Sequence, residues 1–397
     1  MIPTGSAPPA RTGGGLGLVA ASAMVLLVVF LSPRAARAEG HEDLRTTLDE
    51  VRAKHDLPAL WAGRFHADSR RVFAVSGVRK DGEVDPARLD DLVHIGSCTK
   101  AMTAVLIARL WTAGKLSPET TLAECFPEVR AAEGGVLATS RWGSVTIDDL
   151  LRHTSGAPAN ADWWALHRAH PSDPVAARRG LLEWLLSQPR PAEPGFLYSN
   201  VGYALLGHIV ESIEGKPWET RMADDVFQPL GLTTAAFGPL PPEGSTGAWG
   251  HVVRDGVIEP VRIDNPPPLG PAGRVHLSIE DWSRFVLAFT ADRREGDQPR
   301  LGVSPRDWAR CLAPRDGEHY AGGWGLHERA WGGGRVLSHS GSNTTWYCVA
   351  WVAPGRDFCL LGATNSGAPA AAAACDEAVS ACLDPRLLPF DDTAERR

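Results

Sequence analysis

Strand-forming segments stand near both ends of this chain, and helical segments occupy its middle. Residues 57–65 and 71–78 have the apolar pattern of strands, and a second pair, 346–352 and 358–363, flanks a tight turn at 354–357. The most economical arrangement pairs the terminal strands in one antiparallel sheet and inserts the helical middle as a second lobe. The sequence therefore predicts an α/β (α+β sandwich) fold with an inserted, mostly helical lobe.

Terminal helices are expected to flank this sheet. Apolar Leu44, Leu48 and Val51 fall on one side of a helix over residues 42–55, and an alanine-rich helix over 368–383 closes the chain. A longer apolar helix is predicted from Ser97 to Ala113, where Gly114 ends it. The predicted sheet lobe comprises about residues 41–96 and 320–390, and the predicted helical lobe comprises about 97–319.

The first 38 residues have the composition of a secretory signal peptide. Arg11 precedes an apolar run over 16–31, and Ala36-Arg37-Ala38 then supplies a small-residue cleavage site. The run has 16 residues, whereas a helix that spans a bilayer needs about 20. We therefore predict cleavage after Ala38 and export to the periplasm or the extracellular space, with no stable membrane span in the mature form. An uncleaved anchor is the alternative.

The net charge and the spacing of the histidines argue against a nucleic-acid partner and a metal site, and the cysteine count bears on disulfide pairing. A net charge of −7 with interspersed signs argues against a nucleic-acid partner. Seven cysteines leave at least one unpaired, and Cys98 is the natural free thiol. Cys348 with Cys359, or Cys375 with Cys382, are candidate pairs between which the sequence does not choose. The 13 histidines lack metal-ligand spacing, so we predict neither a metal nor a cofactor.

Three short motifs indicate the chemistry of this chain. They are Ser97-Cys98-Thr99-Lys100, Tyr198-Ser199-Asn200 and His339-Ser340-Gly341. Each motif alone is a weak signal, but their order and spacing resemble the three active-site motifs of the serine β-lactamase and penicillin-binding protein superfamily. The resemblance implies a serine acyl-transfer site in the cleft between a sheet lobe and a helical lobe.

Ser97 is the predicted nucleophile and Lys100 its predicted general base. Three residues apart at a helix start, their side chains project from the same face. A serine hydroxyl reacts poorly until a base takes its proton, and a lysine can serve when burial lowers its pKa. The partial positive charge of the helix N-terminus favours the developing alkoxide.

The resemblance also implies roles for the second and third motifs. Tyr198 would act as a phenolate or proton relay to the leaving group, and Asn200 would bind Lys100 and the substrate's carbonyl side chain. His339 would tune the proton network of Tyr198 and Lys100. Ser340 would bind a substrate carboxylate or carbonyl.

Gly341 would let the substrate backbone lie flat against the strand, because a Cβ there would block it. The backbone N–H groups of Ser97 and Ser342 would form an oxyanion hole, in which each donor contributes roughly 3 kcal/mol to transition-state stabilisation.

Two further segments extend the resemblance over nearly the whole mature chain. Residues 147–156, IDDLLRHTSG, resemble a family segment in which we expect His153 and Ser155 to be structural. Residues 271–275, PAGRV, resemble another, but Arg274 stands where the family usually has a second glycine. We expect this arginine to narrow the cleft or to add charge to it.

The predicted function is an exported serine hydrolase that acts through a Ser97 acyl-enzyme on a D-amino-acid peptide or a small ester. Histidine in the third motif resembles certain DD-carboxypeptidases, D-amino-acid peptidases and esterases of the superfamily, whereas many β-lactamases carry lysine there. A class C-like β-lactamase and a non-catalytic penicillin-binding sensor are the alternatives. The G-x-S-x-G nucleophile elbow of other serine hydrolases is absent.

Overall fold

The computed structural model describes residues 33–129, 137, 140–291 and 300–389. Most of the predicted signal peptide, residues 1–38, lies outside them. The first helix begins at Pro33 and runs through the predicted cleavage point, so cleavage after Ala38 stays a prediction. Within the described ranges, no helix combines the length and the apolarity needed to cross a membrane.

A seven-stranded antiparallel sheet joins the two ends of the chain. Its order is β2-β1-β12-β11-β10-β9-β8, and Leu60 of β1 lies opposite Thr364 of β12. The predicted pairing of terminal strands is therefore confirmed. The strands of the described residues are β1 (Ala59–His66), β2 (Arg71–Gly77), β3 (Leu92–His94), β4 (Ala236–Phe237), β5 (Gly250–Arg254), β6 (Val257–Val261), β7 (Val275–Ser278), β8 (Tyr320–Ala321), β9 (Trp324–Arg329), β10 (Gly334–Ser342), β11 (Tyr347–Ala353) and β12 (Phe358–Thr364).

Helices cover both faces of this sheet, as the predicted sandwich requires. The terminal helices α1 and α13 pack on one face, where Leu44 and Leu48 meet Leu360 and Ala374. The larger core lies on the other face. The described helices are α1 (Pro33–Lys54), α2 (Thr99–Thr112), α3 (Leu122–Cys125), α4 (Ile147–Leu151), α5 (Trp163–Ala169), α6 (Pro174–Leu186), α7 (Asn200–Glu214), α8 (Trp218–Met222), α9 (Gln228–Leu230), α10 (Gly270–Gly273), α11 (Ile279–Ala291), α12 (Pro305–Cys311) and α13 (Ala371–Ala381).

Two elements cross the lobe boundaries that the sequence suggests. Strand β3, expected with the main sheet, pairs with β7 in a separate three-stranded sheet, β3-β7-β4. Helix α11, expected in the helical lobe, packs against β11 and β12 because Trp282, Phe285 and Phe289 form a wholly buried face. The inner layer of the sandwich therefore includes residues from the middle of the chain.

Helix α2 lies inside the larger core and brings its N-terminal end to the sheet. Nearly all of its residues are buried, including Lys100 and Thr103. A 3₁₀ turn over Gly96–Cys98 precedes it, so Ser97 lies in this turn rather than in the first α-helical turn as expected. Gly96 has a φ of +46°, a left-handed conformation that glycine adopts without steric cost.

All seven cysteines are free, so neither candidate disulfide is formed. Cys98 and Cys348 are both buried, with their Sγ atoms 3.8 Å apart. The thiol of Cys348 also donates to the carbonyl of Ile95 at 3.2 Å. Both thiols therefore serve as packing beside the turn that carries Ser97.

Candidate active site

Ser97 and Lys100 lie within hydrogen-bond distance at the base of the cleft. Lys100 Nζ is 3.0 Å from Ser97 Oγ, which agrees with the predicted alignment of the two side chains. Lys100 Nζ also donates to Asn200 Oδ1 at 2.7 Å and to the Ala272 carbonyl at 2.8 Å. These three oxygens hold the amine in one position.

The surroundings of Lys100 bring its pKa down so that the neutral amine is populated at neutral pH. Its side chain is completely buried, and burial lowers its pKa from 10.5 to about 7. A neutral amine has two N–H donors and one lone pair. Asn200 and Ala272 supply acceptors for the two donors, which leaves the lone pair to accept the proton of Ser97.

Tyr198 and His339 form a second polar pair next to the serine. Tyr198 Oη and His339 Nε2 are 3.2 Å apart. Burial raises the pKa of Tyr198 above its ordinary value, so that the phenol form is favoured over the phenolate. Burial and then the charge of Lys100 lower the pKa of His339 to about 3. Both groups are therefore neutral at pH 7, where they can pass a proton but hold no charge.

Asn200 reaches Lys100 because it is the first residue of helix α7. The hydroxyl of Ser199 accepts the N–H of Gly202 and caps this helix. The amide of Asn200 then spans the site, since its Oδ1 accepts from Lys100 and its Nδ2 donates to Asn160 Oδ1 at 2.8 Å. The amide orientation is thereby fixed from both ends.

The end of β10, which carries the third motif, packs closely against the 3₁₀ turn Gly96–Cys98, called here the nucleophile turn. Two glycines permit this contact. A Cβ on Gly341 would collide with the Ile95 carbonyl and come within 2.8 Å of the Ser97 nitrogen. A Cβ on Gly96 would likewise collide with the backbone of Ser342. Gly341 thus permits the close approach of β10 to the turn that carries Ser97, while its expected contact with the substrate backbone stays a prediction. The two predicted oxyanion donors, at Ser97 and Ser342, are brought together by this contact.

Above these groups lies a cavity of about 420 Å³. Strand β10 pairs with β9 only from Gly334 to Ser338, so its last four residues extend beyond this pairing and line the cavity. Ser340 and Ser342 are exposed there. The lining residues are Ser97, Tyr198, Tyr320, Gly325, Ser338, His339, Ser340, Gly341, Ser342 and Tyr347.

Arg274 does not act as the sequence suggests. Its Nε donates to Asp264 Oδ2 at 3.0 Å, and its side chain is only 13 % exposed. Asp264 therefore neutralises its charge outside the cavity. The expectation that Arg274 narrows or charges the cleft is wrong, because a buried carboxylate binds its side chain.

The sequence reasoning missed three groups that contact the predicted site residues. Asn160 and the carbonyl of Ala272 contact Asn200 and Lys100. Tyr320 packs edge-on against Tyr198, with ring centroids 6.2 Å apart. The PAGRV resemblance pointed to the segment of Ala272, but a backbone carbonyl leaves no mark on residue choice.

His153, which we expected to be structural, supports Tyr198 from below. Its Nδ1 accepts the N–H of Ser199 at 3.0 Å, and its ring lies 4.4 Å from that of Tyr198. Ser155 Oγ accepts the N–H of Ala157 within its own loop. The described part of the chain holds no group of three or more His, Cys, Asp or Glu side chains placed to bind a metal ion.

The antiparallel sheet and its surrounding helices match the fold of β-lactamase and D-alanine carboxypeptidase structures. The chain belongs to the Beta-lactamase family, whose model matches residues 44–381. Members of this family are serine hydrolases that include carboxypeptidases, β-lactamases and esterases.

Individual relatives agree with this assignment. The chain is 28% identical over 340 residues to penicillin-binding protein 4 of Amycolatopsis lactamdurans, covering 82% of this chain and 86% of that protein. It is 30% identical over 181 residues to a putative D-alanyl-D-alanine carboxypeptidase of Escherichia coli K12, covering 42% of this chain and 40% of that protein. A β-lactamase/D-alanine carboxypeptidase structure from Pseudomonas syringae shares the fold, with a TM-score of 0.70, 19% identity and coverage of 90% and 100% of the two chains.

Proposed function

We propose that this protein is an exported serine hydrolase in which Ser97 forms an acyl-enzyme with a D-amino-acid peptide or a small ester. The observation that carries the proposal is the 3.0 Å contact between Ser97 Oγ and the buried amine of Lys100. A nucleophile and its base within hydrogen-bond distance, with the base held by further groups, is the arrangement that serine acyl transfer needs.

In the first half of the reaction, Lys100 Nζ takes the proton of Ser97 as Ser97 Oγ attacks the substrate carbonyl. The carbonyl oxygen gains negative charge, which the N–H groups of Ser97 and Ser342 stabilise. The bond to the leaving group then breaks, and Tyr198 relays a proton to that group. General acid–base help of this kind contributes typically 10²- to 10⁴-fold in rate.

In the second half, water attacks the acyl-enzyme and returns Ser97 to its free form. The water gives up one proton as its oxygen bonds to the acyl carbon, and Ser97 Oγ takes one as it leaves. Lys100 and the Tyr198–His339 pair are the groups available for both transfers. The product is the free acid of the substrate.

The third motif weighs against a β-lactam, because histidine there resembles certain DD-carboxypeptidases, D-amino-acid peptidases and esterases of the superfamily, whereas many β-lactamases carry lysine. A lysine in that place would offer a full positive charge to the carboxylate of a β-lactam. His339 is neutral at pH 7, because burial and Lys100 lower its pKa to about 3. Ser340, exposed on the edge of β10, offers a hydroxyl to a neutral carbonyl or to a carboxylate. The name of the E. coli relative, a putative D-alanyl-D-alanine carboxypeptidase, agrees with a peptide substrate.

Export is part of the proposal and rests on the apolar run and the Ala36-Arg37-Ala38 site. N-terminal sequencing of the protein from its native host should find Glu39 as the first residue. An intact N-terminus in the membrane fraction would instead indicate an uncleaved anchor.

Intact-mass spectrometry tests the acyl-enzyme directly. The mature protein is mixed in turn with a penicillin, a p-nitrophenyl acyl ester and a D-alanyl-D-alanine peptide. We expect an added acyl mass that Ser97→Ala abolishes and that Ser245→Ala, which changes an exposed loop serine, leaves in place. Turnover of peptide or ester supports the proposal. Fast penicillin turnover would indicate a β-lactamase, persistent acylation without turnover would indicate a sensor, and activity retained by Ser97→Ala would overturn the mechanism.

A further inference from the structure

A buried carboxylate lies behind the nucleophile turn, outside the cleft. Asp264 follows β6 in the chain, and its side chain is 3 % exposed. It accepts hydrogen bonds from the backbone N–H of Asn265 at 2.6 Å and from Arg274 Nε at 3.0 Å, and it lies 2.8 Å from His94 Nε2. Burial alone would raise the pKa of Asp264, but its interactions with His94 and Arg274 lower it, so the group is ionised.

One branch of contacts runs from Asp264 to the nucleophile. The N–H of Gly96 donates to His94 Nδ1 at 3.0 Å, so Nδ1 carries no proton. The ring proton therefore lies on Nε2, which donates it to Asp264. Gly96 is the residue before Ser97 and has a positive φ. The carboxylate thus selects the histidine tautomer that holds the nucleophile turn.

The other branch runs from Asp264 to the base. Asn265, whose N–H binds Asp264, donates through Nδ2 to the carbonyl of Gly273 at 2.7 Å. The carbonyl just before it, at Ala272, accepts from Lys100 Nζ at 2.8 Å. Arg274 continues the same segment and binds Asp264 from its other side. The position of the Lys100 acceptor is therefore tied to the same carboxylate.

We propose that Asp264 is a positioning residue that aligns Ser97 with Lys100, acting through His94 on the nucleophile and through Asn265 and Arg274 on the base. This inference rests on the proposed function of the Ser97–Lys100 pair. The proposal also explains why position 274 is arginine where the resemblance predicts glycine. The guanidinium charge of Arg274 compensates the buried carboxylate of Asp264. A displacement of about 1 Å at a reacting pair can slow a reaction about 10²-fold, which sets the expected effect.

Substitutions of His94 separate positioning from simple support of the fold. His94→Ala removes the acceptor for the Gly96 N–H. His94→Asn restores an acceptor, because an asparagine side chain binds the backbone N–H two residues further on. We expect His94→Ala to slow acylation by p-nitrophenyl acetate about 10- to 100-fold with KM changed less than about threefold. His94→Asn should recover the rate to within a few-fold of wild type.

Asp264→Ala tests the carboxylate itself. It should slow acylation at least as much as His94→Ala, because it loosens both branches. The double variant, His94→Ala with Asp264→Ala, should be no slower than Asp264→Ala alone, because the effects of substitutions on residues that act through one another do not add. Additive losses would mean that the two side chains act separately and would overturn the proposal.

Hydrogen exchange of the Gly96 amide gives a readout that does not depend on activity. The amide should be protected in wild type and in His94→Asn, and exchange faster in His94→Ala and Asp264→Ala. Unchanged protection in both alanine variants overturns the proposal, as do acylation rates within about threefold of wild type. If wild type itself is not acylated, the proposed function fails and exchange still decides the inference. If Asp264→Ala does not fold, Asp264→Asn, which keeps the size of the side chain and removes its charge, takes its place in both measurements.

Discussion

Asn200→Asp places a negative charge against the amine that we propose as the base. Asn200 Oδ1 lies 2.7 Å from Lys100 Nζ, and aspartate is nearly the same shape. Opposite charges at about 4 Å attract by about 4 kcal/mol near a protein surface, and that energy corresponds to about three pKa units. Because the charge favours the protonated amine, the pKa of Lys100 should rise from about 7 to about 10.

The consequence is a shift of the rate profile with pH. In the wild type, acylation should increase as pH rises through about 7, since Lys100 must lose its proton to act as a base. In Asn200→Asp the neutral fraction at pH 7 falls from about one half to about one in a thousand, so the rate should fall several-hundred-fold. At pH 10 much of that loss should be regained.

Initial rates with a p-nitrophenyl ester between pH 5.5 and 10.5 measure this profile, and Ser97→Ala supplies the background hydrolysis. Asn200→Ala is the matched control, because it removes the same hydrogen bond without adding a charge. It should be slower than wild type, yet its midpoint should not move upward. A midpoint near 7 in Asn200→Asp would refute the assignment of Lys100 as the base.

Three further substitutions test other parts of the structure. Tyr198→Phe should slow turnover about 10²- to 10⁴-fold, because it removes the proposed proton relay. The midpoint of the rate profile with pH should stay near 7, since burial raises the pKa of Tyr198 well above that pH. Loss of this midpoint would indicate that Tyr198 is the titrating group. Gly341→Ala should abolish acylation and lower the free energy of unfolding by about 1–3 kcal/mol, since its Cβ would meet the Ile95 carbonyl; acylation by intact mass at the wild-type level would contradict this. Arg178 and Glu211 form a buried ion pair, with Arg178 Nη2 2.5 Å from Glu211 Oε1. Arg178→Met should lower the free energy of unfolding by about 3–5 kcal/mol in denaturant titrations, because it leaves the Glu211 carboxylate buried without this partner, and adding Glu211→Gln should recover part of the loss.

Much of the fold could be predicted because its determinants are local. The hairpin of β11 and β12 was expected within a residue at each end, since a Pro-Gly turn separates two apolar runs. The pairing of β1 with β12 followed from where strand patterns fall along the chain. The positions of β3 and α11 could not be predicted from the order of the elements along the chain. Which sheet or layer a strand or helix joins depends on partners far away in sequence.

The site, like the fold, has parts that the sequence predicts and parts that it does not. Ser97, Lys100, Tyr198, Asn200 and His339 come together as the motifs imply. The carbonyl of Ala272 could not be foreseen, because every residue has one. The partners of Arg274 were missed because ion pairing with Asp264 depends on the folded loop, whereas the sequence shows only an arginine in place of a glycine.

Because Gly96 packs against the end of β10, the proposed site is complete only when both the N-terminal and the C-terminal parts of the chain are folded. The proposed nucleophile Ser97, its proposed base Lys100 and Tyr198 all precede residue 320, whereas the proposed second oxyanion donor, the N–H of Ser342, lies on β10. A truncated product could therefore carry an intact Ser97–Lys100 pair and still lack reactivity. During refolding, regain of acylation should follow the slow closure of this long loop rather than the earlier formation of helices. A newly made chain would thus stay unreactive until its C-terminal strands are in place.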